Sequence, residues 1–253
     1  MIDFLQYWLR EAWSNVVEYF TYAGIVFLAF YILLKKPFWF RKIQKKLPKV
    51  TDYGRDIFYS MLAIAIFATV SMFTFYIFAQ YNNTYNDLST YGWTYYVFSW
   101  VWMFILHDTY FYWMHRLMHH PRLFKRVHLV HHRSTNPTPW TAYAFHPLEA
   151  TLEALIMPLM AFTLPLHGAA TGAFFLFQII YNIYGHLGFE LYPKNFHKTW
   201  IGHWVNTSVA HNQHHKQFRG NYGLYFLFWD RMMGTMCNNY DETYEQTTET
   251  SLL

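Results

Sequence analysis

Two long, mostly apolar runs set the outer limit on what this chain can become. Residues 16–34, VVEYFTYAGIVFLAFYILL, and 57–79, IFYSMLAIAIFATVSMFTFYIFA, are each about one bilayer crossing long, since roughly 20 residues span the hydrocarbon core. Hydrophobic residues make up 54% of the chain and charged ones only 13%, where a soluble domain carries about a quarter charged, so this surface cannot all face water. A third run, 93–114, carries His107 and Asp108 near its end. Residues 150–184 are apolar again but are divided by Pro165, His167 and Gly168, which predicts a helical hairpin: two short spans, or a re-entrant pair buried against other helices. A water-soluble helical core would not need the two long runs. The expected fold is all-α, an integral membrane bundle of four or five membrane helices with a cytosolic helical cap. No stretch reads as a linker, so residues 1–236 are expected to form one membrane-embedded domain. The acidic, polar segment 237–253, CNNYDETYEQTTETSLL, is expected to be a disordered tail.

Positive charge orients the spans. Lys35, Lys36, Arg41, Lys42, Lys45, Lys46, Lys49 and Arg55 fill the first loop, while 80–92 and the turn near Pro165 hold no Lys or Arg. Arg116, Arg122, Lys125, Arg126 and Arg133 follow the third run, and Lys194, Lys198, Lys216, Arg219 and Arg231 follow the hairpin. With five crossings all of these fall on one side, leaving Arg10 opposite. Lys and Arg excess marks the cytosol, so the carboxyl terminus and the stretches 115–149 and 186–253 are expected there. The start, MIDFLQYWLREAW, lacks the features of a secretory signal, and TSLL is no prenylation box, so attachment falls to the body of the chain. A formal charge of +4 fits a face toward anionic lipid better than a nucleic-acid groove, for which no stripe or motif is present.

Those cytosolic stretches hold nearly all of the 15 histidines. HRLMH places His115 and His119 four apart; HLVHH supplies His128, His131 and His132; HNQHH supplies His211, His214 and His215. Positions i, i+3 and i+4 share a helix face. A pair at i, i+4 can clamp one ion, and a triplet can give ligands to two adjacent ions. Cys237 is the single cysteine, so nitrogen and oxygen must hold any metal. Eight imidazoles exceed the needs of one tetrahedral ion, which makes two ions the economical reading.

Other residues are candidates for supporting roles. His186, in NIYGHLGFE, ends the hairpin and shares a four-residue spacing with Asn182 and Glu190, although Gly185 and Gly188 argue against one continuous helix. Asp108 suits a carboxylate that accepts an N–H from a ligand histidine, or one that reaches the interface to meet a cation. His146, with Glu149 nearby, suits a loop covering the site. His107 and His120 adjoin ligand candidates but point off their helical faces. His167, His197 and His203 have no partner at ligand spacing.

Imidazole suits zinc, copper, iron and nickel alike. The ligands are too many for a hydrolytic zinc site and no HExxH is present. Two redox-active ions at a membrane surface point instead to dioxygen activation against the C–H bonds of a lipid. A carotenoid-type ring hydroxylase, or a non-catalytic membrane metal-binding or transport protein, are the alternatives.

The runs HDTYFYWMHRLMHHP, HLVHHRSTNPTPWTAYAFHPLE, GHLGFELYP and HNQHHKQFRGNYGLYFLFWDRMMGT together resemble the fatty acid hydroxylase and sterol desaturase superfamily over roughly 105–236. The resemblance implies a membrane-embedded di-iron oxidase that takes dioxygen and two electrons from a separate ferredoxin or cytochrome b5 type donor with its reductase. Zinc can substitute for iron in purified protein. It implies His115, His119, His128, His131, His132, His211, His214 and His215 as ligands and adds His186. Some relatives space the first box so that His120 would replace His119; helical geometry favours His119. A bacterial inner membrane is expected in preference to the endoplasmic reticulum.

Overall fold

The computed structural model describes residues 3–249. Asp3 accepts the N–H of Gln6 at 2.7 Å, and this capping box starts α1 (Phe4–Phe27) well before the first apolar run. The helix continues in wider π-helical turns over Leu28–Leu33 and ends in the short α2 (Lys35–Phe38). A second long helix, α3 (Val50–Met72), is likewise extended by a π-helical segment, Phe73–Ile77. Both extended helices, Phe4–Leu33 and Val50–Ile77, are long and apolar enough to cross a membrane. They pack side by side, small Ala23 and Ala63 together with Tyr19, Ile64 and Phe67, while Ile25, Ile32, Leu33 and Phe58 stay exposed. That outward apolar surface is what a lipid-facing helix presents.

Helix α4 (Gly92–Met118) is 27 residues long and buries one face through Ser99, Met103, His107, Phe111, His115 and Met118, close to every fourth residue. Two short helices, α5 (Pro121–Val127) and α6 (Leu129–His132), carry the second histidine cluster. The apolar stretch 150–184 forms the expected hairpin, broken near Pro165 between α8 (Ile156–Thr163) and α9 (Gly168–Gly185). Its first arm is itself divided from the preceding α7 (Pro147–Ala154), because Pro158 has no N–H to continue the ladder. At eight residues each, α7 and α8 rise about 12 Å apiece, well short of the ~30 Å hydrocarbon core. Among the described residues the chain is helical throughout, with only isolated bridge pairs such as Lys42 with Phe189 and Val205 with Phe226.

After α10 (Ser208–Gln217) and the short α11 (Phe228–Met232) comes α12 (Tyr240–Thr248), where disorder was expected. Tyr240 and Tyr244, one turn apart, are fully buried against Val209, Ala210 and Leu227. The acidic groups Asp241 and Glu242 sit in the first turn, where the helix dipole favours them. The polar composition hid that apolar pair. Residues 250–253 of the expected tail lie outside the described residues.

Candidate metal centre

The three clusters converge with His186 into two adjoining groups. His115, His119, His128, His132 and His214 form the first, and His131, His186, His211 and His215 the second. Each HxxHH cluster divides: His128 and His132 join the first group while His131 turns to the second, and His211 and His215 join the second while His214 turns to the first. The i, i+4 pair clamps one group and the i+3 member reaches the other. The groups touch, with the His132 and His215 rings 4.9 Å apart.

Backbone ends place the remaining two ligands. Helix α4 stops at Met118, so His119 follows as its cap, one turn after His115. Helix α9 stops at Gly185 with His186 as its cap. The chain then turns through Gly188 at φ +72°, so Asn182, His186 and Glu190 do not continue as one stripe.

The Nε2 atoms crowd together while the Nδ1 atoms point outward. Nε2 pairs lie 3.0 Å apart in His115–His128, 3.1 Å in His119–His132 and His119–His214, 3.0 Å in His186–His211 and 3.2 Å in His186–His215. Backbone carbonyls accept from Nδ1 of His115 (Tyr222, 2.9 Å), His186 (Asn182, 2.8 Å), His214 (Gly220, 2.7 Å) and His215 (Ser134, 3.0 Å). A carbonyl can only accept, so these rings carry their proton on Nδ1 and a lone pair on Nε2. His186 and His215 therefore aim two lone pairs at each other across 3.2 Å, which no hydrogen bond can join. A cation between them resolves the repulsion. Two nitrogens that share one ion at metal–nitrogen distances of about 2.1 Å lie no more than about 4.2 Å apart, a limit these separations meet. Burial, and then the neighbouring imidazoles, hold His128, His131, His132, His211, His214 and His215 well below the usual histidine range. Neutral imidazoles are the form that binds metal. The residues fit two ions.

The carboxylate on a ligand imidazole is Glu149, where the sequence pointed to Asp108. Nδ1 of His128 lies 2.6 Å from Glu149 Oε1, both groups fully buried. Asp108 instead accepts the backbone N–H groups of Tyr225 and Phe226 at 2.9 and 3.2 Å, so it meets neither an imidazole nor a surface cation. The signal for Glu149 was present in FHPLE: Pro147 opens α7, which sets Glu149 in its first turn, facing inward.

Two further histidines, His120 and His146, cap the start of a helix through their side chains, and in both the next residue is proline. Nδ1 of His120 accepts the N–H of Arg122 at 3.3 Å and starts α5; Nδ1 of His146 accepts that of Leu148 at 3.2 Å and starts α7. Neither reaches the cluster, and His119 is the one that does. The Asn182 side chain donates to the Ala142 carbonyl at 2.7 Å, while its own carbonyl orients His186. Glu190 accepts from the Tyr184 hydroxyl and from the N–H groups of Tyr192 and Val209, which fastens the first turn of α10. Asn182 and Glu190 thus act through backbone placement, with no side-chain bond to an imidazole.

Residues that had no assigned chemistry acquire a place. The carbonyls of Gly220 and Tyr222, in NYG, hold two ligands, and Asp230 of WDRMMGT fastens that turn through the N–H groups of Tyr222 and Gly223. Asp56, on α3, accepts from Ser134 Oγ at 2.7 Å and Thr141 Oγ1 at 2.7 Å, steadying the loop whose Ser134 carbonyl holds His215. Beside the second group the Phe145 ring packs on His131, 5.0 Å between centroids, and also lines a cavity of about 340 Å³ between α1, α3, α7, α8 and α9.

Fold and site together define the class: a helical protein with membrane-length spans and a buried, all-imidazole centre built in two groups. Residues 100–235 match the family model described as fatty acid hydroxylase. The chain belongs to that family, within the fatty acid hydroxylase and sterol desaturase superfamily, and is an enzyme of it. It is 31% identical to lathosterol oxidase of Homo sapiens over 232 residues, 89% of this chain and 73% of that protein. Lathosterol oxidase of Rattus norvegicus is 28% identical over 231 residues, 88% and 72% of the two chains. The Delta(7)-sterol 5(6)-desaturase of Leptosphaeria maculans is 34% identical over 139 residues, 55% and 37%. No solved structure matches. The expectation of a bacterial inner membrane finds no support in these eukaryotic relatives, which point toward the endoplasmic reticulum.

Proposed function

We propose that this chain is a membrane oxidase that hydroxylates or desaturates a lipid, using dioxygen and two electrons from a separate redox protein. Two iron ions, one per histidine group, would supply the oxidising power that an unactivated C–H bond requires. The observation that carries the reading is the convergence of nine imidazoles beside a cavity, with the Phe145 ring both packing on His131 and lining that space. The chain's own work is to fix His115, His128, His186, His214 and His215 through outward Nδ1 bonds, exclude water with Phe124, Phe145 and Phe218, and hold the lipid still. Names of the sterol-oxidising relatives favour a lipid of that general kind. The test is reconstitution of purified, iron-loaded protein with a reductase system, dioxygen and extracted membrane lipid. Oxidised lipid that appears only with iron and dioxygen supports the reading, and none under any loading removes it.

The metal centre and carboxyl terminus are placed on the cytosolic side, on the one-sided Lys and Arg distribution. A reporter fused after Leu253 is expected to read as cytosolic and one inserted near Asn83 as external. The reverse pattern would move the electron donor to the other side.

A further inference from the structure

The cavity beside Phe145 has walls of unlike chemistry. Phe67, Phe75, Met157, Phe175 and Leu176 make its apolar side, and Glu11, Glu18 and Glu153 stand on its polar side with His107. No lysine or arginine lines it. Ionisable groups at this depth are costly unless something answers them. Glu11 is answered within the protein, by Arg10 at 3.6 Å and the Ser71 hydroxyl at 3.3 Å. Glu18 has the Ser14 hydroxyl at 3.5 Å and no cation. The Glu153 carboxylate has neither a hydrogen bond nor an ion pair among the described residues. His107, 2% exposed, ties Nδ1 to the Tyr225 hydroxyl at 3.1 Å, which leaves its other nitrogen for the cavity that it lines.

Neither Glu18 nor Glu153 meets a cation among the described residues; when ionised, the two carboxylates accept hydrogen bonds or attract a cation, and they repel an anion. We infer that the cavity is the substrate site and selects a lipid whose polar end donates hydrogen bonds, a hydroxyl or an amine, while rejecting free carboxylates and phosphates. The inference rests on the lipid-oxidase reading and narrows it to non-acidic lipids. Glu153 lies one turn beyond Glu149 on α7, about 5–6 Å along that face, and Glu149 touches His128. The polar end of the lipid is therefore anchored at the metal end of the cavity, and oxidation falls near that polar group. The rest of the molecule follows α1 from Glu18 toward Tyr7, a distance of about 16 Å of helix.

Tetradecanol, tetradecylamine and tetradecanoate share one chain and differ at the head. Their binding to the metal-loaded protein in nanodiscs is measured by displacement of radiolabelled tetradecanol at an alkaline pH where the acid and the cavity glutamates are ionised. Alcohol and amine are expected to compete, and the acid to bind at least about 10-fold more weakly, a difference of about 1.4 kcal/mol. Glu153→Gln should narrow the gap between amine and acid to about 3-fold, and Glu18→Gln should weaken the amine by about the same factor; the second variant serves if the first does not fold. An acid that competes as well as the alcohol overturns the inference. So does a folded, metal-loaded Glu153→Gln protein with all three affinities unchanged. Selective binding of alcohol and amine by protein that oxidises no lipid upholds the site and removes the oxidase reading instead.

Discussion

The two histidine groups use one side chain and face opposite surroundings. The first holds five imidazoles behind a thin aromatic cover: Phe124 and Phe218, 5.9 Å apart, lie on His119 and His132, and His119 is only partly buried. The second holds four, all buried, and looks across Phe145 into the cavity. Their anchors differ too. The first leans on the Glu149 carboxylate and the carbonyls of Gly220 and Tyr222, the second on the carbonyls of Asn182 and Ser134. The first group lies nearer the protein surface and the second nearer the cavity. They are joined through the backbone, because α6 and α10 each send imidazoles to both, yet no imidazole belongs to more than one group.

The sharpest way to break the comparison is to remove one ligand from each side. His186→Ala and His119→Ala are each expected to cost at least about 100-fold in turnover, with bound metal falling by one ion per chain in each, since every ligand serves a single group. Equal metal loss from both groups in either variant would mean that the pair empties as a unit. Next in size is the anchor of the first group. Glu149→Gln keeps the shape but replaces the carboxyl group that orients His128 with an amide, and a loss of about 10–100-fold in metal affinity or activity is expected in a chelator-competition assay.

Asp56→Asn acts on the second group at one remove, through Ser134 and His215. Its hydrogen bonds to Ser134 and Thr141 are buried, so destabilisation of about 1–3 kcal/mol is expected from thermal unfolding, with both metals still bound. Phe124→Ala thins the cover over the first group only. Chelator should then remove one of the two ions about 3–10-fold faster and leave the other's release unchanged, because burial controls access to a site. The smallest effect belongs to His203→Ala. Its side chain is exposed, so stability should change by less than about 0.5 kcal/mol and metal content not at all.

The convergence of the histidines was legible because their spacing is a local property: i, i+3 and i+4 fix a shared helix face before any tertiary contact forms. The same locality made His186 hard to weigh, since it stands alone in sequence and meets the others only through the turn at α9's end. Asp108 drew attention as a carboxylate next to a histidine, yet its oxygen is committed to the Tyr225 and Phe226 backbone, a contact across more than a hundred residues. Glu149 does the work expected of it, and its proline-fixed helix start was the available clue. Length and hydropathy found α1 and α3, though not their early starts, which caps and π-helical ends decide. Tail composition misled at α12 because two tyrosines one turn apart suffice to dock a short polar helix.

Two joined histidine groups should hold two ions, one in each. Purified, folded protein loaded with ferrous iron under anaerobic conditions, washed free of loose metal and analysed for iron per chain, tests this most directly. About two irons per chain are expected, and about one in His186→Ala and in His119→Ala, as ligand removal from a single group predicts. A folded wild-type chain that saturates at one ion or none would contradict the account.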